Sequence, residues 1–428
     1  MTAPRSQPHL RFRSAAGEHL FLAAYSRLFD LPDDPGLAAE ATGRNALARL
    51  AMPAPGEQAL DLVPDVAPQS ISLNVSASCN LACSYCYAGQ GGFGGRQPKG
   101  MDWGTARQAI DALLERADPN RTITIGFLGG EPFVARELIH RCVHHAAAIG
   151  ERGGLDIRFS VTTNATLLRD EDRALLRAHR FAVTVSIDGD REAHDRQRPA
   201  QGGRGSWNAA VRRITPLLLE PGLARIAARA TVTRNDLDLP RQFAALVEAG
   251  FDEIGFSPLR RSAAGNAGLE GEDWLSYLAA LEAVAQGELA RARAGLPIRL
   301  TNLAVALKEI ARGAASPYPC GAGGGYFSVG SDGGWYACHR AIGDEAYRLG
   351  DGERLDAAAR RKFLISHHVD SDTDCTTCWA RYLCSGGCHH ERSARTKASC
   401  DFIRSWLEYC LIAFCEARHV PKKEALCG

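Results

Sequence analysis

Residues 71–90 read ISLNVSASCNLACSYCYAGQ. ISLNVS is a strand-like apolar run, and three cysteines, Cys79, Cys83 and Cys86, follow it at C-x3-C-x2-C spacing on what must be a loop. Working toward the C-terminus, five more such runs recur: TITIGFLGG, DIRFSVTTN, FAVTVSIDG, ARIAARATVTRN and FDEIGFSP. Longer helical patterns, such as Gly104 to Ala117 and Phe243 to Ala249, separate them. Strands alternating with helices imply right-handed parallel βαβ units. The chemistry-bearing loops therefore sit just past the strand ends, where α/β barrels place their active sites. Periodicity leaves open whether the six strands close.

Toward the N-terminus, LRFRSAAGEHLFLAAYSRLFDL reads as two or three small strands with Ala15, Ala16, Gly17 and Glu18 at a turn. A helical segment from about Leu37 to Leu50 follows, and the proline-bearing stretch Met52 to Pro68 reads as a linker. Residues 272–313 read as two helices, Cys320 to Cys400 shows little periodicity, and Asp401 to Phe414 is a helical tail expected to pack on the barrel. The expected division is residues 1–69 for the small N-terminal α+β segment and linker, 70–313 for the barrel and bridging helices, and 314–428 for a cysteine-rich domain and C-terminal helix.

A chain of 428 residues has room for two or three folding units. Fifty basic residues against 49 acidic ones leave a net charge of +1, which gives no electrostatic case for nucleic acid or a membrane surface as the main partner. No run approaches the roughly 18 apolar residues of a spanning helix, and the expected location is the cytoplasm. Fourteen cysteines in a reducing compartment call for a reason other than disulfides. Three lie between Cys79 and Cys86 and seven between Cys320 and Cys400; Cys142, Cys410, Cys415 and Cys427 lie elsewhere. Ligands cluster, whereas packing cysteines scatter, so metal binding is the leading reason.

Three thiols on one loop can wrap three corners of an iron-sulfur cube and leave the fourth iron open. A zinc site is the bland alternative, but structural zinc takes four closed ligands and no histidine or fourth cysteine lies nearby. This loop, followed one βα unit later by Gly129-Gly130-Glu131-Pro132, resembles the radical S-adenosylmethionine (SAM) superfamily. The resemblance implies a partial (β/α)6 TIM-like barrel. It also implies a SAM-binding 4Fe-4S cluster on Cys79, Cys83 and Cys86, whose open iron chelates the SAM amino and carboxylate groups. The glycines let backbone approach the ligand, and Glu131 or its neighbouring carbonyls can meet the SAM ammonium. Tyr85 is expected beside the cluster and adenine. Ser186 resembles the residue that bonds ribose or carboxylate, Arg198 the arginine near the SAM carboxylate, and Asn164 is a candidate of the same kind.

The second group reads Cys320-x12-Gly333-x4-Cys338, then Cys375-x2-Cys378-x5-Cys384-x3-Cys388-x11-Cys400. That pattern resembles the SPASM domain, which holds two auxiliary 4Fe-4S clusters; seven thiols do not divide into two closed zinc tetrahedra, the rival reading. By that resemblance Cys375, Cys378, Cys384 and Cys400 form the distal cluster, while Cys320, Cys338 and Cys388 hold the inner one. The inner set lacks one thiolate. Either its iron is open or Cys410, Cys415 or Cys427 closes it.

SPASM-bearing enzymes act mostly on peptides and proteins. YACHRAIGDEAYRLGD around Cys338 and CYAGQGGFGG from Cys86 look most like maturases that crosslink ribosomally synthesised precursor peptides through thioether or carbon-carbon bonds. Sulfatase maturases typically carry an aspartate after the equivalent of Cys338, where this chain has His339, which lowers the formylglycine reading. Such enzymes take electrons from a donor such as a flavodoxin or ferredoxin. The small N-terminal strands resemble a shortened peptide-recognition domain able to pair with a leader by β-addition, with a capping hairpin as the equal alternative. Modification of a small molecule and a non-enzymatic metal scaffold are the readings from other classes.

Overall fold

A computed structural model describes residues 8–32, 66–93, 99–260, 267–352 and 354–418. The expected helix over 37–50, most of the linker over 52–68, and Cys427 lie outside them. The described residues fall into two compact units. One is drawn from Met1–Val63, Trp274–Cys320 and Ile365–Gly428, the other from Pro64–Asp273 and Gly321–Leu364.

In the first unit, β1 (His9–Ser14), β2 (Gly17–Leu22) and β3 (Arg27–Asp30) form an antiparallel sheet in that order. Ser14 pairs with Gly17, so Ala15 and Ala16 make the turn.

The second unit is built on six strands: β4 (Ser70–Ser76), β5 (Ile123–Gly129), β6 (Ile157–Thr163), β7 (Phe181–Ser186), β8 (Arg225–Val232) and β9 (Ile254–Pro258). They lie side by side in chain order, all parallel. Helices α1 (Trp103–Arg116), α2 (Arg136–Gly153), α3 (Asp170–Ala178), α4 (Arg191–Gln197), α5 (Trp207–Leu219) and α6 (Leu239–Glu248) make the crossovers. Several start at an aspartate that accepts an orphan N–H: Asp102 from Thr105, Asp190 from Ala193 and Asp238 from Arg241.

One parity of strand residues, including Ile71, Leu73, Val75, Ile125, Phe127, Val161, Val183 and Val185, is fully buried. The other parity is small and polar. Ser72, Gly126 and Ser160 are register partners, and a Cβ on Gly126 would meet both serine hydroxyls at 2.9 and 2.8 Å. Along the same face Thr184 and Ser186 are half-buried and Arg229, the partner of Ser186, is exposed. An open polar inner face is what a barrel needs to admit a substrate.

Helices α7 (Asp273–Arg293) and α8 (Thr301–Arg312) are the two expected from the sequence. The expected boundary at 314 does not coincide with the compact units. β10 (Tyr326–Val329) pairs in parallel with β4, and β11 (Gly334–Tyr336), β12 (Arg348–Asp351) and β13 (Arg354–Leu355) continue outward antiparallel. Backbone hydrogen bonding thus makes residues 326–355 part of the barrel sheet, now ten strands with β13 and β9 at its edges. α9 (Ala357–His367) follows, and a C-terminal helix, α10 (Lys397–Arg418), closes the described chain. The tail helix packs within the first unit, with the Phe402 ring 5.5 Å from that of Trp274 and 5.0 Å from that of Tyr277.

Candidate active site

Cys79, Cys83 and Cys86 lie on the loop beyond the C-terminal end of β4, each partly buried. Every sulfur has its own donor. Leu81 N–H points at Cys79 Sγ at 3.4 Å, Gln90 N–H at Cys86 Sγ at 3.3 Å, and Arg198 Nη1 lies 3.9 Å from Cys83 Sγ. Asn164 Nδ2 adds a second contact to Cys79 Sγ at 3.8 Å. Donors aimed at thiolate sulfur stabilise a reduced cluster and raise its potential. In the metal-free protein burial pushes the Cys79 thiol up to about 11, with Glu131 and the other two thiols adding to the rise. A thiolate at Cys79 is therefore favoured by a cation beside it.

The diglycine after β5 brings this loop close. A Cβ on Gly130 would lie 2.2 Å from Gln90 O and 2.3 Å from Ser78 O, and one on Gly129, at φ +150°, 2.5 Å from Ser76 O. Gly130 N–H donates to Ser76 O and Glu131 N–H to Ser78 O, both at 2.9 Å. Gly130→Ala must push the loop away from the strand ends, because the obstructing atoms are backbone. The expected result is a folded protein that retains about four fewer irons after desalting, checked by iron assay and circular dichroism.

Glu131 was a candidate for the SAM ammonium, but its carboxylate points inward and is 1 % exposed. Oε1 accepts from Thr163 Oγ1 at 2.7 Å and Phe133 N–H at 3.1 Å, and Oε2 from Asn164 N–H at 2.8 Å. Its side chain ties the end of β5 to that of β6. Asn164 in turn reaches Asn80 Oδ1 at 3.0 Å, so β6 touches the cysteine loop twice.

Arg198 and Tyr85 converge on Asp188, which stands in the sequence only as the penultimate residue of the run FAVTVSIDG. Asp188 Oδ2 accepts from Arg198 Nε at 2.9 Å and from Tyr85 Oη; Oδ1 accepts from Thr231 N–H at 2.9 Å. The Arg198 guanidinium sits 5.3 Å from the centre of the Tyr85 ring. Both ions are buried, and the Asp188 charge, against the penalty of burial, keeps Arg198 protonated. Ser186 ends β7, half-buried, two residues before Asp188.

Behind this pair, Asp188 N–H donates to His194 Nδ1 at 3.2 Å, so His194 Nε2–H faces Ser206 Oγ at 2.9 Å, and that hydroxyl donates to Arg198 O at 2.6 Å. The chain works only with neutral imidazole. Burial, helped by the Arg198 charge, pushes His194 down to about 4 from an ordinary 6.5. Between these values the unfolded chain binds a proton that the folded protein refuses, so stability is full above 6.5 and falls as pH drops toward 4. Thermal melts from pH 7 to 4 should show this decline, and His194→Gln should start lower but fall less steeply.

In the first unit Cys375, Cys378, Cys384 and Cys400 form a second convergence. Burial pushes Cys384 up to about 11, and Cys375, Cys378 and Cys400 act on it as further negative neighbours. Arg395 Nη1 donates to Cys375 Sγ at 3.4 Å and is itself held by Asp372 at 2.6 Å. Ser385, Gly386 and Gly387 are all left-handed, at φ +53°, +77° and +78°, which turns the chain sharply between Cys384 and Cys388. Cys388 and Cys320 are exposed in this unit; Cys338 belongs to the barrel unit, where its sulfur lies 3.4 Å from Arg340 N–H. Of the tail cysteines proposed to close the inner set, Cys410 and Cys415 are fully buried on α10.

Residues 73–217 match the radical SAM superfamily. The chain is 27 % identical over 339 residues to the serine-type anaerobic sulfatase-maturating enzyme of Klebsiella pneumoniae, an alignment covering 73 % of this chain and 80 % of that one. Among solved structures, native anSMEcpe with bound AdoMet superposes with a TM-score of 0.69 at 20 % identity, covering 82 % of this chain and all of that one. Streptococcus suis SuiB bound to precursor peptide SuiA superposes with a TM-score of 0.51 at 13 % identity, covering 92 % and 97 %. These two likenesses show the fold. No described helix is long and apolar enough to cross a membrane.

Proposed function

We propose that this enzyme, whose residues 73–217 match the radical SAM superfamily, is a peptide maturase that installs an intramolecular thioether or carbon-carbon crosslink in a ribosomally synthesised precursor. The supporting observation is two cysteine convergences, the three-thiol loop of the barrel and the four-thiol group around Cys384, in a chain similar to enzymes that act on polypeptides.

SAM and a 4Fe-4S cluster, when bound, supply one-electron cleavage of a sulfonium and hydrogen abstraction from unactivated carbon. The chain's own residues bind and orient. Cys79, Cys83 and Cys86 would hold the cluster through three of its irons. Arg198, pinned by Asp188 over Tyr85, offers its remaining N–H groups to a carboxylate. Asn164 and Ser186 stand at neighbouring strand ends for further polar contacts, and Gly129 and Gly130 keep backbone close to the cofactor. Cys375, Cys378, Cys384 and Cys400 would hold a second cluster, and a third, on Cys320, Cys338 and Cys388, stands on its family spacing alone. A flavodoxin or ferredoxin is the electron donor in this reading, and an edge of the β1–β3 sheet the leader-binding strand.

Formylglycine formation is the second reading, favoured by similarity over most of the length of a sulfatase-maturating enzyme. His339, in place of the aspartate usual there, weighs against it. Mass alone does not separate the two on serine, since oxidation to the aldehyde and formation of one crosslink each remove two hydrogens. Coexpression with short peptides encoded beside the gene, then tandem mass spectrometry and hydrazide trapping, does. The crosslink reading expects a product two hydrogens lighter, resistant to fragmentation between two residues and inert to hydrazide; a hydrazide-reactive product would replace it with the second reading.

A further inference from the structure

We propose that His19, Asp30 and Cys415 form a mononuclear site for a divalent transition-metal ion, zinc above all, that clips the N-terminal sheet to the C-terminal helix. One nitrogen, one carboxylate oxygen and one sulfur, from β2, β3 and α10, lie within 4.8 Å of one another. This mixed nitrogen, oxygen and sulfur set suits zinc, whose filled d shell accepts a tetrahedron of such donors.

The surroundings match what ligating groups require. His19 and Asp30 are register partners on adjacent strands, with Nδ1 2.9 Å from Asp30 Oδ1. The other ring nitrogen, Nε2, lies 2.7 Å from Ser14 Oγ, so with metal on Nδ1 the Nε2–H donates to that hydroxyl. A second hydrogen bond of this kind fixes the tautomer and ring plane of a ligating histidine. Asp30 Oδ2 accepts from Arg418 Nη2 at 2.8 Å, which orients the carboxylate and leaves Oδ1 toward the site. His19 and Cys415 are fully buried, whereas the Asp30 side chain is 42 % exposed. The ion enters from the Asp30 side, where water completes the tetrahedron.

The fold has a use for such a clip. The three strands are short, of six, six and four residues, and their buried face rests on Leu20, Phe21 and Leu22, so what they pack against matters to their stability. Joining β2 and β3 to α10 through one ion ties the first strands of the chain to its last described helix.

The test uses full-length protein with its iron-sulfur clusters reconstituted, equilibrated with a small excess of zinc chloride, desalted, and analysed for zinc and iron by mass spectrometry. About one zinc per chain is expected, with one sulfur at about 2.3 Å and nitrogen or oxygen at about 2.0–2.1 Å in zinc-edge X-ray absorption. Cys415→Ser should bring zinc to background with iron unchanged. Asp30→Asn, at a half-exposed position that tolerates the change, should weaken zinc retention at least about tenfold and keeps the test open if Cys415→Ser fails to fold. Zinc absent from the wild type means a hydrogen-bonded Cys-His-Asp set without metal. Zinc retained equally in Asp30→Asn and any folded Cys415→Ser protein means an ion held by the cluster cysteines. Either result overturns the site.

Discussion

Replacing Cys79, Cys83 and Cys86 together with alanine is expected to abolish formation of 5'-deoxyadenosine from SAM while leaving about eight of about twelve irons bound. The three sulfurs sit on one loop, each with its own N–H donor, and the other group of mutually acting thiols belongs to a separate compact unit. Loss of the loop ligands therefore removes one cluster and leaves the rest of the cysteine chemistry intact. Chromatographic quantification of 5'-deoxyadenosine with iron assay on the same sample checks both halves. Residual cleavage, or loss of nearly all iron, contradicts the separation of roles.

Asp188→Asn is expected to destabilise the barrel by about 3–5 kcal/mol, because it strips the counter-ion from a buried arginine rather than removing the pair. Asp188 and Arg198 are 1 % and 8 % exposed, and the carboxylate also takes Tyr85 Oη and Thr231 N–H, so no water can replace it cheaply. The double change Asp188→Asn with Arg198→Met removes both charges and should recover much of the melting temperature without recovering SAM affinity. A role confined to packing predicts that affinity returns with stability; calorimetric titration of SAM into the reconstituted double variant distinguishes the two.

The six parallel strands were legible because each is a run of apolar and β-branched residues long enough to stand out, as in ISLNVS and FAVTVSIDG. The grouping of Cys375, Cys378, Cys384 and Cys400 was carried by a family spacing, and in the structure the other three act on Cys384 as negative neighbours. β10 to β13 were not legible. YFSV and GWY are short and flanked by glycines, and only their hydrogen bonds to β4 and to one another make them strands, which is also why the barrel unit, which leaves off at Asp273, resumes over Gly321–Leu364. Asp188 was hidden for a related reason: its partners Tyr85 and Thr231 are 103 and 43 positions away. Nor does sequence say which way a carboxylate turns, and Glu131 turned inward onto Thr163 and Asn164. The metal-ligand set of His19, Asp30 and Cys415 has no motif, since its members meet only when the last helix returns to the first sheet.

In a crosslinking maturase, SAM cleavage and peptide modification run in fixed stoichiometry. Reconstituted protein, dithionite, SAM and the short peptide encoded beside the gene are incubated anaerobically, and 5'-deoxyadenosine is quantified against modified peptide by mass spectrometry. One 5'-deoxyadenosine for each crosslink, with two hydrogens lost per link and nothing formed by the Cys79, Cys83 and Cys86 triple variant, is the predicted result. SAM cleavage that leaves the peptide unchanged in mass and fragmentation would contradict the maturase reading.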